Sequence, residues 1–352
     1  MKKLFFPLLF LCFSSFAQEN ASFEEYTIEQ FYENTRIGGG VFSNDGQHLL
    51  INSDETGIFN VFEINVDDGS KKQITSSEDD SFFALDYVPG TDEILYSADK
   101  GGNEIDHIFL LKKDGTVKDL TPGIKEKAIF AGWSEDDRFM YYLSNLRDPQ
   151  FFDLYKMQVG MWKPEMIFMN NEGFEVSGIS NNENFLLLSK PVTTSESKLF
   201  LYNRKEDQLT EISEEKGNYS ASGFSNDDSS FYYITDVGDE FSYLVQYEIA
   251  TGETSKIFEP DWDVMYSYLS ENEKYRVIGI NEDGTTRLQV FNNRTGKKVE
   301  LPEVQNGDIL SASFSDNENL LRLSIGTSKT PNNIYVYNFE SDELTKLTNY
   351  LN

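Results

Sequence analysis

Phe224-Ser225, then Asn226-Asp227-Asp228, then Phe231-Tyr232-Tyr233-Ile234 place an apolar residue and a small one, an acidic turn and a short apolar strand in immediate succession. The opening pair recurs at Phe42-Ser43, Val88-Pro89, Trp133-Ser134, Ile179-Ser180, Leu269-Ser270 and Phe314-Ser315, with second members spaced 46, 45, 46, 45, 45 and 45 residues apart along the chain. So even a period over seven copies defines a repeat, and repeats decide architecture before single motifs do.

Working outward from each pair, the acidic turn leads to strands such as Leu49-Leu50-Ile51, Met140-Tyr141-Tyr142 and Phe185-Leu186-Leu187-Leu188. Alternating segments such as Asn60-Val61-Phe62-Glu63-Ile64 and Lys198-Leu199-Phe200-Leu201-Tyr202 follow, and then outer strands ending in Gln73-Ile74-Thr75, Asp119-Leu120-Thr121 or Lys346-Leu347-Thr348. Alternation, aromatic enrichment and Asn/Asp/Gly punctuation predict four antiparallel strands per unit. A four-stranded unit cannot bury both of its faces alone, so neighbours must stack, and radial stacking gives a propeller. The expected fold is therefore all-β: a seven-bladed β-propeller of four-stranded antiparallel blades. Its inner strands are expected to begin near Gly40, Leu85, Ala131, Ser177, Ser222, Tyr266 and Ala312 and to line a central channel. The only Trp-Asp dipeptide, Trp262-Asp263, falls at a blade junction, which sets the repeat apart from WD40 units.

The expected organisation is a signal peptide over 1–17, an N-terminal extension with a short helix over 18–36, and the propeller over 37–352. Lys2 and Lys3 precede the apolar run Leu4 to Phe16, and Ser15-Phe16-Ala17 offers a small-x-small cleavage site. Thr27-Ile28-Glu29-Gln30 fits a capping box that starts a helix reaching about Asn34. Export to the periplasm or medium is the expectation, with no membrane insertion, because no stretch after the leader approaches about 18 consecutive apolar residues. Cys12, the single cysteine, lies within the leader, so the mature chain is expected to have neither disulfides nor thiolate chemistry.

Charge narrows the partners. Without Lys2 and Lys3 the chain carries 28 basic against 60 acidic residues, a net charge of −32, and no basic cluster interrupts it. Nucleic acid would meet repulsion rather than counterion release. The acidity reads as a means of keeping an exported protein dispersed, or as a field that attracts cationic substrates.

Catalytic signals are absent from the sequence read in this way. There is no G-x-S-x-G pentapeptide to raise a serine on a strained elbow. His48 and His107, the only imidazoles, open strands and read as strand-surface residues. No cofactor and no metal is expected: Val66-Asp67-Asp68-Gly69 and Asn281-Glu282-Asp283-Gly284 have hairpin-turn composition rather than a calcium-loop pattern.

Several segments in order carry a resemblance. Asp99-Lys100-Gly101-Gly102-Asn103-Glu104 with Ile108-Phe109-Leu110-Leu111, Ser144-Asn145-Leu146-Arg147-Asp148-Pro149 with Phe152-Asp153-Leu154-Tyr155, and Tyr232-Tyr233-Ile234-Thr235-Asp236 are similar to propeller segments of the prolyl oligopeptidase family of serine peptidases. The likeness extends to its acylaminoacyl-peptidase and dipeptidyl-peptidase-like bacterial members. Pro331-Asn332-Asn333-Ile334-Tyr335 continues the likeness, and Leu347 to Asn352 resembles the point where the family crosses into its α/β-hydrolase domain. The resemblance implies a non-catalytic propeller that gates or positions peptide substrates for such a domain, joined in cis or supplied in trans. The Ser-Asp-His triad has no counterpart here, so the chain alone is expected to be inactive. Even blade lengths leave no room for the long arm that carries a Glu pair in the family's dipeptidyl peptidases. The second turns of blades 2 and 3 are expected to share a rim facing the hydrolase domain, with Arg147, Asp148 and Glu104 as substrate or interdomain contacts. For Arg147 and Asp148, bracing their own turn is the competing reading. A stand-alone periplasmic propeller that binds protein partners, like that of the Tol system, is the alternative function.

Overall fold

A computed structural model describes residues 27–302, 304, 307–327 and 330–350, and the chain divides into two units, Met1–Asn34 and Thr35–Asn352. The proposed leader, 1–17, lies outside the described residues. Within the first unit Thr27 caps the helix Ile28–Tyr32: its N–H donates to Gln30 Oε1 at 2.7 Å, and Gln30 N–H donates to Thr27 Oγ1 at 3.3 Å. The capping box is thus present, and the helix stops two residues short of the expected Asn34.

The second unit is seven sheets, each made of four strands consecutive in sequence and paired antiparallel in order. The inner strands are Ile37–Phe42, Phe82–Tyr87, Ala128–Trp133, Glu175–Ile179, Tyr219–Phe224, Asp263–Leu269 and Asp308–Phe314. They begin two to four residues before the expected positions. The cause is local: each inner strand carries a register shift against its neighbour, as between Gly39 and Val41, Ala84 and Asp86, or Val176 and Gly178. A bulge inserts an unpaired residue and breaks the period-2 signal on which strand boundaries are read.

Seven apolar clusters hold the blades together, one per seam. Second-strand residues alternate between them: Leu49 and Ile51 pack with Ile334 and Val336 of blade 7, whereas Leu50 packs with Ile94 and Tyr96 of blade 2. The blade 7 to blade 1 seam is as apolar as the others, so the ring closes by side-chain burial, with every sheet completed by its own four strands. Glycine is required at two close contacts, one within blade 6, where Tyr266 pairs across the sheet with Gly279, and one at the seam of blades 7 and 1. A Cβ on Gly279 would lie 2.3 Å from the Tyr266 ring, and one on Gly40, whose φ is +113°, would lie 2.7 Å from Arg322 Nε.

Two recurring hydroxyl clasps explain the repeat marks. The serine opening each first turn accepts from the N–H five residues on, as in Ser225 Oγ with Ser230 N at 3.0 Å and Ser270 Oγ with Tyr275 N at 2.8 Å. At the far end of a blade, the hydroxyl after the outer strand accepts from a third-strand N–H: Thr75 from Val61, Thr121 from Ile108 and Thr348 from Ile334, each at 2.9 Å. Blade 2 departs from the serine pattern. There Val88, not Pro89, opens the turn, since Val88 N–H donates to Glu93 O as Ser43 N–H does to His48 O.

Candidate functional site

Solvent reaches the middle of an inner strand only from the propeller axis, because neighbouring blades cover both faces of the sheet and the second strand covers one edge. The exposed side chains there therefore line the channel. Phe83, Ile129, Met265 and Leu310 are 36 to 51% exposed and form an apolar arc on blades 2, 3, 6 and 7. Blades 4 and 5 present Glu175, Ser177 and Ser220 instead, giving a polar arc opposite. The Phe83 ring packs at a tilt against Phe59 of the second turn of blade 1, centroids 5.2 Å apart, which puts that part of the apolar arc at the second-turn mouth.

The other mouth is acidic. Burial, then the carboxylates of Asp137, Asp228, Asp136 and Glu273, raise the pKa of Glu135, while burial and then Asp316, Asp137, Glu135 and Glu318 raise that of Glu271. These residues sit on the first turns of blades 3, 5, 6 and 7 and repel one another within and between those turns. Asp86, near the end of the inner strand of blade 2, is pushed up to about 7 by burial, against hydrogen bonds from Trp133 Nε1 at 3.1 Å and Tyr87 N at 2.8 Å. Three of these rim carboxylates also clasp one blade to the next: Asp228 accepts from Asn181 N and Asn182 N at 2.8 Å each, Glu273 from Asn226 N at 2.7 Å and Glu318 from Asn272 N at 2.8 Å. All three stand at positive φ, which an Asp or Glu adopts at a cost that the capped amides offset.

The residues singled out by sequence lie on the second-turn rim. Lys127, in the connection entering blade 3, joins two of its turns: its Nζ is 2.8 Å from Asp106 Oδ2, and its N–H donates to Asn145 Oδ1 at 2.7 Å. The segment Asp99 to Glu104 is a turn, whereas Asn145 to Asp148 extend the second strand Phe139–Asp148, leaving Pro149 and Gln150 as the turn. The segments similar to the family place the second turn of blade 3 at Asn145 to Pro149, and the structure corrects this to Pro149 and Gln150. Strand pairing resumes at Asp148 with Phe151 after a register shift beyond Ser144.

Arg147 grips Asp153 with both arms of its fork, Nε to Oδ2 at 2.8 Å and Nη2 to Oδ1 at 2.9 Å, and Nη2 also donates to Asn170 O at 2.7 Å. Asp153 is fully buried, and its Oδ1 also accepts from Asn170 N at 2.7 Å. The second hairpin of blade 3 is thereby tied to the connection leading into blade 4. Nη1, 4.0 Å from Asp148 Oδ2, is the part of the guanidinium left toward solvent. Glu104, at φ 60°, is exposed and keeps its place through its N–H on Asp99 Oδ2 at 2.7 Å. Asp86 and the buried Arg276 and Arg322 are the residues that sequence reading passed over, although a charge within an apolar second strand, Leu321-Arg322-Leu323, was a usable signal.

His107 Nδ1 lies 2.8 Å from Asp119 Oδ2, and half-buried His48 opens the second strand of blade 1. Among the described residues neither imidazole is hydrogen-bonded to a serine hydroxyl, and no group of three His, Cys, Asp or Glu side chains could hold a metal ion. Among the same residues no helix is long and apolar enough to cross a membrane.

Comparisons with known proteins agree with this architecture. The structure is similar to one from a study of two prolyl endopeptidases, at 14% identity and TM-score 0.67, covering 90% of this chain and 50% of that one. Apo prolyl oligopeptidase B from Galerina marginata matches at 12% identity and TM-score 0.67, covering 91% and 52%. TolB from Acinetobacter baumannii matches at 11% identity and TM-score 0.53, covering 94% and 85%. The chain thus spans about half the length of the prolyl oligopeptidases it resembles. No curated protein matches it. At these identities the structural likeness shows the fold, and the family rests on a sequence-family model, that of the prolyl oligopeptidase N-terminal β-propeller domain, which matches residues 74–349. The chain belongs to the prolyl oligopeptidase family through that propeller domain.

Proposed function

We propose that this chain is the non-catalytic propeller of an exported prolyl oligopeptidase-family peptidase, admitting and positioning peptides for an α/β-hydrolase domain in cis or in trans. The family match over residues 74–349 carries the reading. The channel supports it: an apolar arc facing a polar one suits an extended peptide, whose side chains are mixed and whose backbone needs hydrogen bonds. In this reading the hydrolase domain sits over the second-turn rim. Glu104, Asp148 and Nη1 of Arg147 are the groups that meet it or the substrate, the rest of the Arg147 fork being engaged by Asp153. Export rests on the leader-like composition of residues 1–17.

A protein-binding adaptor is the second reading, favoured by the match to TolB, which covers most of both chains. The DNA beyond codon 352 separates the two. An in-frame or adjacent hydrolase sequence with G-x-S-x-G supports the peptidase reading, whereas an unrelated neighbour supports the adaptor.

A further inference from the structure

Six residues after the residue that opens its first turn, each second strand places a side chain toward the preceding blade. In six blades that side chain is apolar and buried: Leu49, Ile94, Met140, Leu186, Phe231 and Leu321. In blade 6 it is Arg276, also buried, at 7% exposure. A cation at a core position needs a compensating partner. Among the described residues no carboxylate lies within ion-pair distance of it. Its guanidinium carbon sits 4.0 Å over the Tyr232 ring, and Nη1 donates to Ser267 Oγ at 3.3 Å. Glu273, whose charge acts on Arg276, is itself capped onto Asn226 N.

Beside this guanidinium the seam between blades 5 and 6 opens into a cavity of about 310 Å³. Leu244, Phe258, Ile278 and Phe291 form its apolar wall, with Phe258 and Phe291 edge to face at 5.6 Å. Gln246 and Asn292 add polar edges. That volume is at the lower limit of small-molecule sites, enough for a ligand the size of one large residue. A fork of N–H donors lining a largely apolar pocket matches a carboxylate on a compact apolar body.

We infer that the blade 5/6 seam is a binding site for a carboxylate carried on a single apolar or aromatic group, with Arg276 holding the carboxylate and the Phe258/Phe291 wall holding the body. A free aryl or branched-chain carboxylic acid and the C-terminal residue of a peptide share this chemistry. The site is separate from the channel and does not depend on the peptidase reading.

Calorimetric titration of the full chain with N-acetylphenylalanine, its carboxamide, and a blocked dipeptide ending in Phe tests the assignment. The acid should bind with Kd on the order of 0.1–1 mM, and the carboxamide at least about tenfold more weakly, as loss of a charge-assisted pair requires. Equal binding of acid and dipeptide would identify a peptide terminus as the ligand; binding of the acid alone would identify a free small acid. Arg276→Met, which gives blade 6 the residue type that blade 3 has at Met140, should abolish binding while leaving the melting temperature unchanged or raised. Phe291→Ala, which leaves the guanidinium in place, should weaken the acid severalfold. No binding of either acid up to about 5 mM, equal binding of acid and carboxamide, or unaltered binding to Arg276→Met would overturn the inference. Should Arg276→Met fail to fold, the acid against carboxamide comparison on the native chain decides it alone.

Discussion

Ile334 offers the sharpest test of how the ring closes. It lies on the third strand of blade 7, is fully buried, and packs among Ile37, Leu49, Ile51, Phe62 and Ile64 of blade 1. Truncation by Ile334→Ala removes three carbons from a seam whose other wall belongs to strands nearly three hundred positions earlier, so the gap cannot be refilled by a local shift. Buried Ile→Ala substitutions cost about 2–5 kcal/mol, and a fully enclosed site belongs near the middle, about 3 kcal/mol. With an unfolding entropy of about 2.1 cal/mol/K per residue over a unit of this size, that corresponds to a melting-temperature fall of about 4–5 °C. Scanning calorimetry measures the fall, and native-state hydrogen exchange locates it: protection should drop in blades 1 and 7 and persist in blade 4. A fall of less than about 1 °C, or an equal loss of protection in blade 4, would refute closure by this seam.

Other expectations follow from the rims. Asp228→Ala should cost about 2–4 kcal/mol in urea unfolding, because two cross-blade amides lose a charged acceptor and alanine inherits a positive φ; Asp228→Asn should recover part of the loss. The Asp86 carboxyl has a folded pKa of about 7, above its ordinary 3.8, so its ionised form penalises the fold. The native chain should therefore gain stability relative to Asp86→Asn as pH falls from about 7 toward 4, by a few kcal/mol at most, and parallel melting curves across that range would contradict it. Arg147→Ala should lower the melting temperature, and Arg147→Lys should not restore it, since a single ammonium nitrogen replaces the two that hold Asp153 and Asn170 O together. Measured in the complete peptidase, an unchanged kcat/KM alongside that fall would leave Arg147 a bracing role only.

The blades were legible because the Ser-acidic-turn mark answers a local hydrogen-bonding need that recurs in six of the seven blades, as Ser225 shows with Ser230. Inner-strand starts were not, because bulges such as that between Ala84 and Asp86 disrupt alternation. The one-residue slip at Val88-Pro89 has a similar origin: blade 2 replaces the serine clasp with Thr91, whose Oγ1 bonds Val88 O at 3.0 Å. The site was harder to read. Arg147 was found by resemblance, but its partner Asp153 lies across a hairpin that looked like a loop, and only pairing through Asp148 brings the two together. Arg276 escaped because a single charge beside Val277-Ile278 reads as a strand end until the blades are aligned residue by residue.

Reaction with an active-site serine phosphonate distinguishes a propeller without a nucleophile from a complete hydrolase. Residues 18–352 produced alone, and the native protein recovered from its source cells with an antibody against the propeller, would each be treated with a tagged fluorophosphonate and analysed by intact mass. The account predicts no label on residues 18–352 and stoichiometric label in the native material, on the same polypeptide or on one that copurifies. Stoichiometric labelling of residues 18–352, or native material that carries none, would contradict it.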